Sequence, residues 1–342
     1  MSEMKYIPLG RTGVYSSIMG LGAMTFGEQN TWKLGGLGLE ESARLVKKAI
    51  DSGINFFDTA DVYDQGRSEV LLGKALKDSR EQVLIASKVR GRTGKGVNET
   101  GLSRHHINIA IKKSLERLGT SWIDLYQFHS WDKHTPLEES IDAMQGLVDS
   151  GFVNYPGISN FSAWQMAKAQ TICEERGYES YQSAQMNYSL LNRDIEHEIV
   201  PFTKQSGMTI LSWSPLHGGV LTGKYSSLTK PPEGTRMGSR GFFFPPFDPE
   251  KATKVLETVK RIAEEQGATM AQVSIAWLIG KKVLVLVGAR TEKQLEDNMG
   301  SLDVNLTPTQ IEELDKVSSP GVMYPQWMID RRPGDRDFSI IV

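Results

Sequence analysis

The feature that most constrains this chain is an alternation repeated eight times: a short apolar run, then a longer segment whose apolar residues fall three and four apart. The short runs are Ile18 to Ala23, Asn55 to Ala60, Leu84 to Val89, Trp122 to His129, Val153 to Ser159, Ala184 to Tyr188, Thr209 to Pro215 and Val283 to Gly288. The longer segments include Ser42 to Ile50, Ile107 to Leu118, Leu137 to Val148 and Val255 to Ala263. A strand reads as a continuous apolar run when both of its faces are covered, as in a parallel sheet with helical crossovers. Eight such units predict a closed (β/α)8 barrel (TIM barrel), one domain over residues 1–342. Punctuation agrees: Ser103 precedes and Gly119 follows one helical segment, and Pro136 and Gly151 bracket another. The rival, an open dinucleotide-binding sheet, wants G-x-G-x-x-G between its first strand and a helix. Here Gly20 and Gly22 of MGLGAM lead into a long polar loop and read as a tight turn.

Three pieces exceed a bare barrel. Residues 6–17 carry Arg11-Thr12-Gly13 between two short runs, as an N-terminal β-hairpin would. Residues 217–248 form an insertion rich in glycine, proline and phenylalanine, predicted to cover the active-site face as a flap. The tail, 318–342, is predicted to lie over the same face with Tyr324, Pro325, Gln326 and Trp327.

Composition removes several classes of function. With 39 basic and 41 acidic residues, the formal charge of -2 offers no general attraction to nucleic acid or to a membrane surface. The single cysteine, Cys173, has no thiol partner and sits in the helix-like run Trp164 to Arg176; it reads as a buried small apolar side chain in a reducing compartment. Met1 to Gly10 lacks the apolar run of a signal peptide, so the cytoplasm is the expected location. No heptad run or exposed apolar helix stands out, which makes a monomer the default.

In a parallel barrel the working side chains lie at the carboxyl ends of the strands and on the loops that follow. Asp58 ends the second run, Tyr63 lies on its loop, Lys88 ends the third, and His129 ends the fourth. Taken singly, each has an ordinary role: a loop cap, a surface aromatic, a solvated strand end, a core histidine. Together on one face they suit the protonation of a developing alkoxide. An ammonium beside a phenol stabilises the phenolate and lowers its pKa, so Tyr63 can donate and regain a proton near neutrality. Asp58 would keep Lys88 charged and aimed, and His129 would orient a carbonyl oxygen. The scheme requires no metal and no nucleophile. A barrel hydrolase would need two carboxylates across the mouth, and the strand ends offer only Asp58.

From LGRTG (Leu9 to Gly13) to Asn298 the chain resembles the aldo-keto reductase superfamily. The motifs are GINFFDTADVY around Asp58 and Tyr63, IASK ending at Lys88, DLYQFH ending at His129, GISNF at Gly157 to Phe161, SPL at Ser214 to Leu216, and GARTEKQLEDN at Gly288 to Asn298. The resemblance implies an NADPH-dependent reductase of aldehydes and ketones with Asp58, Tyr63, Lys88 and His129 in the roles given above, Tyr63 being the general acid. It further implies that Ser159, Asn160 and Gln185 hold the nicotinamide carboxamide and that Trp213 stacks on the nicotinamide ring, though barrel packing is the alternative for Trp213. Ser214, Pro215, Leu216, Gly218 and Lys224 match the segment around the pyrophosphate, and Arg236 and Arg290 are candidates for the 2′-phosphate, unless they are solvated surface charges. Gln294 and Asn298, four apart on one helix face, are implied at the adenine, with Ala23, Met24, Asp58 and Gly288 completing the cofactor contacts.

Departures and rivals follow. Asn154 stands where many relatives have a basic residue, Val287 replaces a proline common before the cofactor loop, and Pro156 predicts a break in hydrogen bonding beside the carboxamide clamp. The potassium-channel β subunits share LTGKY-like elements with this chain but typically carry asparagine where it has His129, so a cofactor-binding regulatory subunit is the alternative function. QFHSWDKHTPLEE is similar instead to reductases of the aryl-alcohol-dehydrogenase-like branch. The predicted walls of the small-molecule pocket are Met24, Phe26, Trp32, Trp131, Tyr324 and Trp327.

Overall fold

The computed structural model describes residues 3–28, 36–233, 237–329 and 331. Every one of the eight predicted runs is a strand. The hairpin β1 (Tyr6–Pro8) and β2 (Tyr15–Ser17) is antiparallel, and β3 (Met19–Gly22), β4 (Phe56–Asp58), β5 (Leu84–Val89), β6 (Ile123–Phe128), β7 (Val153–Ser159), β8 (Ser183–Asn187), β9 (Thr209–Trp213) and β10 (Leu284–Val287) are all parallel. Each barrel strand pairs with its neighbours in sequence, and β10 closes the ring on β3 through Val285↔Met19 and Leu286↔Gly20.

The crossover helices bury one stripe each. In α1 (Leu39–Asp51), Leu45, Val46 and Ala49 face the barrel while Glu40, Glu41 and Lys48 stay outside. Next come α2 (Arg67–Leu76) and α3 (Arg104–Leu118), the latter capped by Ser103, whose hydroxyl accepts the His106 amide, and ended by Gly119 at φ 64°. α4 (Leu137–Asp149) and α5 (Ala163–Arg176) follow, and Cys173 lies buried on α5, where burial pushes its thiol up to about 11. Among the described residues no helix is long and apolar enough to cross a membrane.

Side chains two apart on a strand share a face, and along the barrel interior that alternation sets a polar side chain at the carboxyl end of several strands. Phe56 gives way to Asp58, Ala86 to Lys88, Leu125 to Gln127 and Ser183 to Gln185. The amino-terminal half is filled by Phe56, Ala86, Leu125, Leu211, Leu284 and Leu286, with Leu9 of the hairpin turn plugging it from below. Arg11 and Gly10 tie that turn to Gln182 and Thr209 at the starts of β8 and β9. The interior is full: a Cβ on Gly20 would meet Phe56 and Leu286 at 2.9 Å, and one on Gly157 would meet Gln127 at 2.8 Å.

Pro156 lies within β7, and the ladder donor it lacks falls on the β8 side, where pairing starts only at Gly157. The β6 ladder runs through Pro156. Its carbonyl accepts the Gln182 amide at 2.9 Å, so its absent N–H faces the same side, ahead of the start of β8. There the Ser180 carbonyl is satisfied by the Gln182 side chain at 2.9 Å.

Candidate active site

The four predicted groups meet at one place. Lys88, fully buried on β5, donates from Nζ to Asp58 Oδ1 at 2.6 Å, to the Thr59 carbonyl at 2.8 Å and to the Tyr63 hydroxyl at 3.3 Å. Asp58 ends β4 and Tyr63 opens the short turn after it, so a single loop supplies both partners. The other carboxylate oxygen of Asp58 accepts from Gln185 Nε2 at 2.7 Å and Gln127 Nε2 at 3.4 Å. His129, the residue after β6, sets its ring edge-on to Tyr63 with centroids 5.8 Å apart.

The electrostatics correct one expectation. Burial raises the Tyr63 phenol above its ordinary value and outweighs the lowering by Lys88, while Asp58 adds to the rise. Without a bound ligand the phenol is thus firmly protonated, the state of an acid waiting to donate. Burial pulls the Lys88 ammonium down, but Asp58 and Tyr63 together outweigh it, and the group stays charged. Burial, with Lys88 and Arg90 adding to it, lowers His129 to about 3, so its imidazole is neutral at physiological pH and can donate one N–H.

Asp58, Tyr63 and His129 open into a cleft of about 650 Å³ that continues past β9 and β10. Of the residues expected around a cofactor, Met24, Asp58, Asn160, Gln185, Trp213, Ser214, Pro215, Leu216, Gly218, Lys224, Gly288, Arg290, Gln294 and Asn298 line it. Ala23 and Ser159 do not: the Ala23 carbonyl is taken by Ser68 at 2.7 Å, and Ser159 stands behind Asn160, accepting from its amide at 2.9 Å and donating to the Gln185 carbonyl at 2.8 Å. Arg236 lies outside the described residues. Asn160 and Ser214 hold φ of 53° and 54°, a costly conformation for residues with a Cβ, and both face the cleft, where strain of this kind concentrates.

Of the expected substrate walls only Met24 lines the cleft. Phe26 turns inward after bridging to Leu37 and is fully buried in the core. Trp131 packs against Phe161 and Trp164 at 5.2 and 5.7 Å. Tyr324 and Trp327 lie exposed beside each other in the tail and do not line the cleft, and Trp32 falls outside the described residues. The insertion instead supplies walls that went unnamed: Gly219, Thr222, Arg240 and Phe244, with Phe244 stacked on Trp213 at 6.2 Å and Arg240 over the Phe244 ring at 5.5 Å. The run SRGFFFPP held the signal, an arginine among aromatics, but nothing local says which ring turns inward.

The donor set fits a nicotinamide dinucleotide. At the tetrad end, Trp213 offers a flat face and Nε1 holds Asn160 Oδ1 at 3.2 Å, while Gln185, its amide nitrogen engaged with Asp58, presents Oε1 as an acceptor for a carboxamide N–H. Further along the cleft Lys224 and Arg290 supply positive charge, Arg290 just ahead of the helix Glu292–Met299, where Gln294 caps the Arg290 amide at 2.9 Å. Its volume suits a ligand of that class.

The fold is a closed parallel barrel with a cleft at the carboxyl ends of its strands, into which Asp58, Tyr63 and His129 open. Residues 18–319 match the Aldo/keto reductase family, and the chain belongs to that family of oxidoreductases. A versiconal hemiacetal acetate reductase of Aspergillus parasiticus is 34% identical over 94% of this chain and 99% of its own. A probable voltage-gated potassium channel subunit beta of Oryza sativa subsp. japonica is 33% identical over 92% of this chain and 96% of its own. A putative aryl-alcohol dehydrogenase of Saccharomyces cerevisiae is 30% identical over 95% and 91%.

Proposed function

We propose that the protein reduces aldehydes or ketones to alcohols with NADPH and that Tyr63 is the general acid. The observation that carries this reading is the chain Asp58, Lys88, Tyr63, joined at 2.6 and 3.3 Å and opening into a cleft with cationic side chains further along it. NADPH would supply a hydride to the carbonyl carbon. The carbonyl oxygen then gains the Tyr63 proton, and the ammonium of Lys88 stabilises the phenolate left behind. Asp58 keeps Lys88 charged and fixed, so no reorganisation is needed at that moment. Neutral His129 donates its N–H to the same oxygen and sets its direction. Phe244 stacks on Trp213 with Arg240 over the Phe244 ring, so that one face of the indole would be shielded from solvent.

Tyr63→Phe tests the assignment. Reduction of an aromatic aldehyde, followed by NADPH absorbance, should fall by roughly 10²-fold or more, with NADPH affinity nearly unchanged because the hydroxyl acts in the chemical step. Turnover retained within a few-fold removes Tyr63 from this role. The potassium-channel relatives motivate a second reading, a cofactor-binding redox sensor with little turnover. Tight NADPH binding by the wild-type protein without reduction of any activated aldehyde would select it.

A further inference from the structure

A second cavity, of about 130 Å³, lies outside the barrel between the loop after β4, the loop after β5 and one flank of α3. The charges around it pair off except for one. Glu69, wholly buried, holds Arg117 at 2.6 Å and the Ser87 hydroxyl at 2.6 Å. Glu99 and Lys113 face each other at 4.0 Å nearer the solvent. Asp61 is only 2% exposed, and among the described residues neither of its carboxylate oxygens has a hydrogen-bond partner; the adjacent Val62 amide is near without reaching bonding geometry.

His106 lines the same cavity from α3 and is equally buried. Its ring engages the Gly91 backbone on one side, while Nε2 has no partner among the described residues. With Nδ1–H given to a carbonyl, a neutral imidazole presents Nε2 as an acceptor. The floor therefore offers three acceptor atoms and one unneutralised negative charge, an arrangement that is costly when left empty. The complement is a group with three N–H donors and one positive charge. A metal ion is a poor match, since no cluster of three histidine, cysteine or carboxylate ligands exists among the described residues. Ile109 and Ala110 complete an apolar flank, with Ile109 at the exposed rim, as an alkyl chain leading out to solvent would need.

We propose that this cavity binds a small primary ammonium, the ammonium ion or the head of a short alkylamine, with Asp61 as the anchoring carboxylate and His106 Nε2 as a second acceptor. Burial, reinforced by the charge on Glu69 and opposed by Arg117 and Lys88, holds the Asp61 carboxyl well above the usual carboxylate range, so an ammonium beside it would favour the carboxylate form. The site lies outside the catalytic cleft but on its scaffold, for the Asp61 amide bonds the Lys88 carbonyl at 3.3 Å.

The test is calorimetric titration of the whole protein with n-butylammonium chloride, with n-butanol and tetramethylammonium chloride as controls for the chain and the charge. One-to-one binding is expected with Kd on the order of 1 mM, as suits five heavy atoms. Both controls should bind at least about tenfold more weakly, and Asp61→Asn should weaken n-butylammonium by about tenfold or more. Ile109→Trp, which fills the exposed rim without touching a buried group, should block binding while leaving aldehyde reduction unchanged. That variant carries the test if Asp61→Asn does not fold. Saturation absent up to about 50 mM, equal binding of n-butanol, or unaltered binding in Ile109→Trp overturns the proposal.

Discussion

Replacing Lys88 with methionine keeps the length of the side chain and removes its charge. The lost interaction with the phenolate can be sized from the 3.3 Å between Nζ and the Tyr63 oxygen: at an effective dielectric of about 20, a unit charge there stabilises a full phenolate by about 5 kcal/mol. If the proton is half transferred at the top of the barrier, about half of that is realised. The expected fall in kcat is then roughly 60-fold, rising to roughly 4000-fold for full transfer, at about 1.4 kcal/mol per decade. NADPH affinity should change less than about threefold, because Lys88 does not line the cleft. Stability should fall as well, since Asp58 is left buried with only Gln185 and Gln127 as donors; breaking a buried pair from one side costs about 3–5 kcal/mol. Spread over 342 residues at about 2.1 cal/mol/K each, that lowers Tm by about 4–7 °C. The double variant Lys88→Met, Asp58→Asn separates the two effects. It should recover most of the Tm and none of the rate, as read by single-turnover decay of NADPH fluorescence and by thermal denaturation. A single variant with kcat within threefold of wild type, or a double variant that regains rate with stability, would refute the role given to the ammonium.

Arg290→Ala should weaken NADPH by more than it weakens NADH, in fluorescence titrations, since arginine pairs with a phosphate through a bidentate fork; equal losses would place Arg290 away from the 2′-phosphate. Burial lowers His129 to about 3 and His217 to about 4, so each binds a proton in the unfolded chain, but not in the folded one, between those values and about 6.5. Their contribution is whole above about pH 6.5 and is lost as pH falls, at up to about 1.4 kcal/mol per unit for each; urea midpoints at pH 7.5 and 5 should differ less in His217→Gln than in wild type. On α2, Gly73→Ala gains helix propensity of about 1 kcal/mol, but its Cβ would lie 2.2 Å from the Leu118 carbonyl of α3. The clash should win by about 1–3 kcal/mol, and an unchanged or raised Tm would show that the two helices separate freely.

Much of this molecule is written locally. The eight strands could be placed because a residue's periodicity depends on its neighbours along the chain, and a buried parallel strand leaves an uninterrupted apolar run. Asp58, Lys88 and His129 were findable for the same reason: a charged or basic residue at the carboxyl end of such a run has only the barrel mouth to face. Tertiary structure alone decided the rest. Whether Phe26 lines a cleft or fills the core, and whether Phe244 or a tail residue covers Trp213, depends on how loops fold back over the barrel, and period carries no record of it. The acidity of Tyr63 is a balance between burial and the charge of Lys88, whose winner is set by all the layers packed around the hydroxyl. Asp61 and His106 lie on separate elements and meet one cavity only because α3 packs beside the loop after β4. Patterning is a property of the chain, whereas desolvation and loop placement belong to contacts between residues far apart in it.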